Sequence, residues 1–184
     1  MVIELERYKI ELKVDNAYIT NSADNLNHYN RVYFAQLDAA FSTKVGLKIF
    51  ENDELINSTI IGSVGGTTGI HKNSQILEKD KILVCCSDSI FCLSIPALDL
   101  IWKTQADQVT CFEIFKYNNS YIIHGELEIS KLDSKGRIIW QKSGTDIFTT
   151  QTGINDFVIT EKYIKATDWG NRTYKFDFNG REIE

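Results

Sequence analysis

Two tryptophans, each closing a similar apolar strand, constrain this chain more than any other feature. "CLSIPALDLIW" (Cys92–Trp102) and "SKLDSKGRIIW" (Ser130–Trp140) place Trp102 and Trp140 38 residues apart (140 − 102). "YKFDFNGREIE" (Tyr174–Glu184) is a third copy. Its Phe176-Asp177 matches Leu132-Asp133 and its Gly180-Arg181 matches Gly136-Arg137, both at an offset of 44 (176 − 132 and 180 − 136), and it stops short of the tryptophan position. The segments ahead agree as well: "DKILVCCSDSIFCL", "NSYIIHGELEISKL" and "DFVITEKYIKATDWGNRTYKF" each show an apolar strand, a short polar turn and an alternating strand. The unit is about four strands and about 40 residues, the period of propeller-type blades. Such a sheet cannot bury both its faces alone, so neighbouring copies supply the missing layer. A tryptophan late in each unit offers a flat surface to fill the gap between sheets, and Gly136 supplies the positive φ needed after Ser134-Lys135.

Composition agrees with a strand-rich globular chain. Of 184 residues, 43% are hydrophobic and 11% aromatic, so a sizeable core can form and β structure is favoured. One proline, Pro96, and 11 glycines leave turns to Gly, Asn and Asp. Further strands are expected in "VIELERYKIELKV", with a phase slip at Arg7–Tyr8 that marks a turn or bulge, and in "RVYFAQLDAAF", "VGLKIF" and "ENDELINSTIIGSV". "NSADNLNHYN" reads as a surface loop. "LEKDKILV" reads as a strand end, a turn at Lys79-Asp80 and a new strand, and no amphipathic helix exceeds about two turns.

The expected fold is therefore all-β, a small or partial β-propeller-like stack of four-stranded antiparallel sheets within a single domain, residues 1–184. Residues 76–184 read as about three propeller-like repeats. Residues 1–75 fit the period poorly and read as degenerate blades or a covering sheet. An incomplete propeller exposes strand edges, which invites pairing with a partner or another copy.

The "LDSKGRIIW" ending, a turn with Asp and Gly followed by a strand ending in Trp, resembles the repeat of the pyrroloquinoline-quinone-like (quinoprotein-type) β-propellers. The resemblance covers roughly Ile76 to Glu184. The first copy departs from it, with Leu98 where the second has Gly136, and the third copy has no tryptophan. Enzymes of that family are eight-bladed rings with a metal and a catalytic Asp beside the quinone. At about 40 residues per blade this chain holds four or five blades at most. The resemblance thus implies the scaffold, and no quinone or other cofactor is expected.

Charge excludes some function classes. The formal net charge is −5, from 25 acidic and 20 basic residues with no run of four Lys/Arg. Nucleic-acid binding needs a concentrated positive face, so it is not expected. No apolar run approaches the ~18 residues of a membrane span, and "MVIELERYKIELKV" is too evenly charged for a signal peptide or anchor. Cys85, Cys86, Cys92 and Cys111 lie in apolar strand patterns without C-x-x-C spacing. Adjacent Cys85 and Cys86 point to opposite faces of a strand, so free buried thiols in a cytoplasmic protein are expected.

Four stretches carry candidate chemistry. "GSVGGTTGIHKNS" (Gly62–Ser74) holds four glycines and His71, but no Gly-Lys-[Ser/Thr] follows as a phosphate loop requires. "HGELE" sets His124, Glu126 and Glu128 at alternate positions, a workable metal or acid–base set on an unbroken strand, although Gly125 and the repeat put Glu126 in a turn. Three successive equivalent turns carry Asp88, Glu126 and Asp168, the last beside Trp169, and such turns share one rim of a propeller. Hydroxyl-rich "SGTDIFTTQTG" has no neighbouring base, so nucleophilic catalysis is not expected. The leading expectation is a non-catalytic binding or scaffold protein that meets a protein partner, or itself, through Asp88, Glu126, Asp168, Trp169, His71 and His124. The alternative is a small metal- or nucleotide-dependent enzyme or ligand-binding protein using the Gly62–Ser74 loop with His71, His124 and Glu126.

Overall fold

Alternation along single strands sets the layering. In "KILVCC" Ile82, Val84 and Cys86 face one apolar cluster, while Leu83 and Cys85 face the next. The adjacent cysteines therefore do point to opposite faces, and burial pushes the Cys86 and Cys92 thiols up to about 12. In "SYIIHG" Tyr121 and Ile123 join the second cluster and Ile122 the third. Strands buried on both faces in this way must lie in the middle of a stack of sheets.

The computed structural model describes residues 1–34, 40–153 and 156–184, and the strand expected across residues 35–39 falls outside them. Its elements are β1 (Val2–Leu5), β2 (Tyr8–Val14), β3 (Arg31–Phe34), β4 (Thr43–Glu51), β5 (Glu54–Ser63), β6 (Gln75–Leu77), β7 (Lys81–Cys86), β8 (Ser89–Ser94), β9 (Leu100–Gln105), β10 (Cys111–Tyr117), β11 (Ser120–Gly125), β12 (Glu128–Asp133), β13 (Ile138–Ser143), β14 (Phe157–Ile159), β15 (Ile164–Thr167) and β16 (Thr173–Phe176). They form four sheets, in the orders β1-β2-β4-β5-β3, β6-β7-β8-β9, β10-β11-β12-β13 and β14-β15-β16. The slip at Arg7–Tyr8 is a turn, with Glu6 at φ +52.

Two sheets depart from four strands. The first gains β3, which runs parallel to β5, and the fourth has three strands plus a single bridge, Phe176 to Glu182. Leaving β3 aside, β1-β2-β4-β5 is the same antiparallel order as β6–β9 and β10–β13. The long segment between β2 and β4 thus occupies the place of the short turn between β7 and β8.

Adjacent sheets are locked by a side chain of one lying over the turn of the next. A methyl added at Gly136 (φ +78) would lie 2.5 Å from indole carbons of Trp102, and one at Gly180 (φ +79) would lie 2.8 Å from the indole of Trp140. The Trp140 Nε1–H donates to the carbonyl of Phe178, two residues before Gly180 (3.3 Å). The first two sheets use a variant of the same lock. Asn57 of β5 donates through Nδ2 to the carbonyl of Pro96, two residues before Leu98 (3.0 Å). Leu98 keeps the left-handed backbone (φ +57) and is fully buried in the first cluster. That backbone costs a leucine about 1–2 kcal/mol, against about 1.5–3 kcal/mol from burying its side chain, so burial prevails. Each locking residue follows a bulge, at Ile56, Ile101 and Ile139. The extra residue reverses the alternation, turning the next side chain toward the neighbouring sheet.

Both outward faces of the stack avoid exposed apolar cores. The segment after β2 folds back over the first sheet, with Tyr29 lying on Gly46 and its hydroxyl donating to Asp15 (2.8 Å). Lys44 Nζ and Lys48 Nζ hold that segment through the Tyr18 carbonyl (2.6 Å) and Asn27 Oδ1 (2.9 Å). The outer face of the fourth sheet carries the cross-strand row Val158, Lys165 and Lys175. Polar terminal faces of this kind are what a stack of mutually dependent sheets requires.

Gly136→Ala is expected to destabilise the fold by about 2 kcal/mol or more, through overlap with Trp102 added to left-handed strain. Gly153→Ala, also at positive φ (+63) but with none of the described residues within 4 Å of the new methyl, is expected to lose only about 1 kcal/mol. Urea unfolding of the two variants separates the contributions, and equal losses would remove the lock from the account.

Candidate functional site

The three acid-bearing turns do occupy equivalent places, between β7 and β8, β11 and β12, and β15 and β16. The connections between sheets are woven into them by backbone hydrogen bonds. Asp88 N–H donates to Val64 O (3.3 Å) and Glu126 N–H to Thr110 O (2.8 Å). The following connections return the bond, from Ala106 N–H to Asp88 O (3.0 Å) and Phe148 N–H to Glu126 O (2.6 Å), and in the last turn Trp169 N–H donates to Ile147 O of the preceding connection (2.9 Å). One rim is thereby stitched into a continuous backbone network.

Burial corrects the expectation that these acids line a shared surface. The Asp88 carboxylate is buried and accepts from Ser63 Oγ (2.5 Å) and Ser89 Oγ (2.7 Å). Asp168 is 1% exposed and accepts from Arg172 N–H (2.8 Å), Tyr174 Oη (2.9 Å) and Thr145 Oγ1 (3.0 Å). Burial, the largest single influence, raises its carboxyl, but these donors together outweigh it and hold the group below the usual carboxylate range. Of the three acids only Glu126 reaches the surface, where it accepts from Thr110 Oγ1 (2.7 Å). Trp169 stands out at the tip of its turn, 44% exposed.

Asp107 is the structural centre of the rim and was not singled out by the sequence reading. It is 1% exposed and accepts four backbone N–H groups, from Val109 (2.6 Å) and Thr110 (2.9 Å) on Oδ1, and from Leu127 (2.8 Å) and Glu128 (2.8 Å) on Oδ2. A side chain at Gly125 would put its Cβ 2.3 Å from Asp107 Oδ2. The glycine after His124 therefore makes room for this carboxylate. A repeated D-x-x-T, Asp107 to Thr110 and Asp146 to Thr149, was the available signal.

His71 and His124, 53 residues apart (124 − 71), line one pocket of ≈ 220 Å³ together with Phe112, Glu113, Thr149, Gly153 and Asp156. A bulge in β10 builds it. Cys111 pairs with Gly125 and Glu113 with His124, which leaves Phe112 as the extra residue. Bulges beside sites commonly re-aim side chains in this way. His124 Nδ1 lies 3.0 Å from Glu113 Oε2 and its Nε2 lies 2.7 Å from the Phe148 carbonyl. Its ring stacks on Phe157 (4.4 Å between centroids, 8°) and meets Phe112 edge-on (5.4 Å, 71°). Asn73 Nδ2 donates to Glu113 Oε1 (2.9 Å), and the exposed His71 holds the Phe112 carbonyl through Nε2 (3.1 Å). Thr149 Oγ1 donates to Asp156 Oδ2 (3.2 Å).

Neither part of the alternative chemistry finds suitable donors. Among the described residues, no group of three or more His, Cys, Asp or Glu is arranged to hold a metal ion. In the Gly62–Ser74 loop the N–H groups of Gly66, Thr68 and His71 donate to Val109 O (2.8 Å), Thr43 Oγ1 (3.0 Å) and Ser74 Oγ (3.0 Å). Methyl groups at Gly65 and Gly66 would lie 2.2 Å from Val109 O and 1.9 Å from Thr110 Oγ1. These glycines permit close packing against the next connection and do not form a phosphate cradle. His124, Glu126 and Glu128 do not form one donor face either, because Glu126 lies in the turn and Glu128 is buried.

No protein-family model matches the chain, and no curated protein matches it. Among solved structures it is similar to BamB from Moraxella catarrhalis, a pyrroloquinoline-quinone-like β-propeller, with a TM-score of 0.50 and 14% identity over 100% of this chain and 59% of that one. It is also similar to the computationally designed Ika8 protein, with a TM-score of 0.53 and 8% identity over 77% of this chain and 45% of that one. The chain thus spans about half the length of these structures. The likeness and the sheet stack together show an all-β, propeller-type fold.

Glu113 gives the pocket a pH signature. Burial, the largest single influence, raises its carboxyl, but hydrogen bonds from His124 and Asn73 outweigh it and hold the group below the usual carboxylate value. A carboxyl with a lowered folded-state value stabilises the fold above the unfolded value of about 4.3, and that contribution disappears as pH falls through the folded value. The wild type is therefore expected to exceed Glu113→Gln in stability at pH 6, with the gap closing below about pH 4. Urea midpoints across that range measure it, and a gap that widens toward acid contradicts the assignment.

Proposed function

We propose that the chain is a non-catalytic binding domain that recognises a protein partner through the rim containing Glu126, Trp169 and the His71–His124 pocket. One observation carries the reading: both ring nitrogens of His124 and both oxygens of Glu113 are engaged in internal hydrogen bonds, while the pocket they line stays open. A general base must have a free lone pair within reach of a proton on its substrate. Here His124 and Glu113 fix the shape of a recessed surface. The exposed Trp169, on the turn after β15, supports recognition, because tryptophan is enriched among binding hot spots.

Fold alone does not establish function, and the rim is the part that varies between proteins on one scaffold. The indole-over-glycine lock and the Gly-Arg-x-x-Trp turn support placing the chain as a divergent member of the pyrroloquinoline-quinone-like repeat propellers. The four unpaired buried cysteines support a reducing compartment, the cytoplasm.

Photo-crosslinking in cells tests the reading. Benzoylphenylalanine in place of Trp169 is expected to capture a defined protein partner. The same group in place of Lys135, on the opposite rim, is expected to capture none. Capture at Lys135 with none at Trp169 would contradict the proposal.

A further inference from the structure

The hydrogen-bond donors around the pocket are turned inward, and this gives the site a chemical preference. Asn73 N–H donates to His71 Nδ1 (3.4 Å), which makes Nε2–H of His71 the donor to the Phe112 carbonyl. His124 faces acceptors on both sides, the Phe148 carbonyl at Nε2 (2.7 Å) and the Glu113 carboxylate at Nδ1 (3.0 Å). Asn73 Nδ2 is held by Glu113 Oε1, and Thr149 Oγ1 by Asp156 Oδ2. What these side chains leave toward the opening is acceptor capacity. Each carboxylate accepts up to about four hydrogen bonds; among the described residues Glu113 takes two from side chains, those of Asn73 and His124, and Asp156 takes one, from Thr149. Half-buried Phe112 adds an aromatic wall.

A ligand for such a site must bring donors, positive charge and a flat shape. Resting on the partner-binding reading, we propose that the pocket receives the guanidinium of an arginine side chain presented by the partner. Guanidinium is planar, carries five N–H donors, pairs with carboxylates through two parallel bonds and stacks on aromatic faces. Asp156 is the principal acceptor, because its only side-chain partner among the described residues is the Thr149 hydroxyl, whereas Glu113 is shared with His124 and Asn73. The ≈ 220 Å³ space accommodates one such head group.

Titration of the full chain with Nα-acetyl-arginine methylamide, followed by amide NMR, tests this inference. Saturable shifts confined to Phe112–Glu113, His124, Thr149 and Asp156 are expected, with a Kd on the order of 1–10 mM for one small solvent-open contact. The neutral isostere Nα-acetyl-citrulline methylamide is expected to produce none. Asp156→Asn, which keeps the shape and the acceptor for Thr149, is expected to weaken binding about tenfold while leaving the remaining spectrum unchanged. Equal binding of citrulline, saturable binding of inorganic phosphate at the same residues, or no localised shift would overturn the proposal. Failure of this inference is distinct from failure of the rim reading. Crosslinking at Trp169 that persists without arginine binding sinks the arginine pocket alone, whereas arginine binding without rim crosslinks leaves the pocket and sinks the partner reading.

Discussion

The fold depends on one contact, a side chain of one sheet pressed on a left-handed turn of the next. Neither half functions alone. The indole needs a turn without a Cβ, and a sheet such as β10–β13 needs a neighbour to cover each face. Trp140 makes the contact in full, with its N–H on the Phe178 carbonyl. Trp102 keeps the packing over Gly136, but its buried N–H has no partner among the described residues, and Thr104 Oγ1 reaches the Gly136 carbonyl instead (2.5 Å). Asn57 and Leu98 change both halves together: the reaching side chain shrinks, and the turn residue grows to fill the gap. Stability in such a stack resides in the interfaces between sheets, as in other repeat architectures.

The rim follows from the same stacking. Bringing the sheets together places each inner turn beside the connection leaving the previous sheet, and their backbone groups must find partners once buried. They find each other, and at Asp107 a single carboxylate satisfies four N–H groups. A rim held this tightly can present a pocket whose shape does not depend on a ligand. The bulge at Phe112 then aims Glu113 at His124, and Phe157 of the fourth sheet closes the ring from behind. The pocket is thus a product of the seam between the third and fourth sheets.

Much of this was legible in the residues. The copies containing Trp102, Trp140 and Gly180 announced the period, and alternation in "KILVCC" announced sheets covered on both faces. The first sheet was hidden because three changes coincide there: Asn57 replaces the tryptophan, Leu98 replaces the glycine it would cover, and a long segment interrupts the strand order between β2 and β4. Asp88, Glu126 and Asp168 were correctly placed in equivalent turns, yet their burial depends on the serine, threonine and tyrosine hydroxyls that tertiary packing brings to them. His71 and His124 were found by chemical type. Glu113 and Phe112 were missed because a bulge shifts register without changing composition, so alternation alone carries no trace of it.

Proton contacts between the tryptophans and the glycines of the next turn test the account most directly. In a NOESY spectrum of the intact chain, the Hα protons of Gly136 and Gly180 are expected to be shifted upfield by ring currents. Each is expected to show cross-peaks to the indole protons of Trp102 and Trp140 respectively. Ordinary glycine shifts at both positions with no indole cross-peaks would contradict the stacking of sheets from which the rim and its pocket are derived.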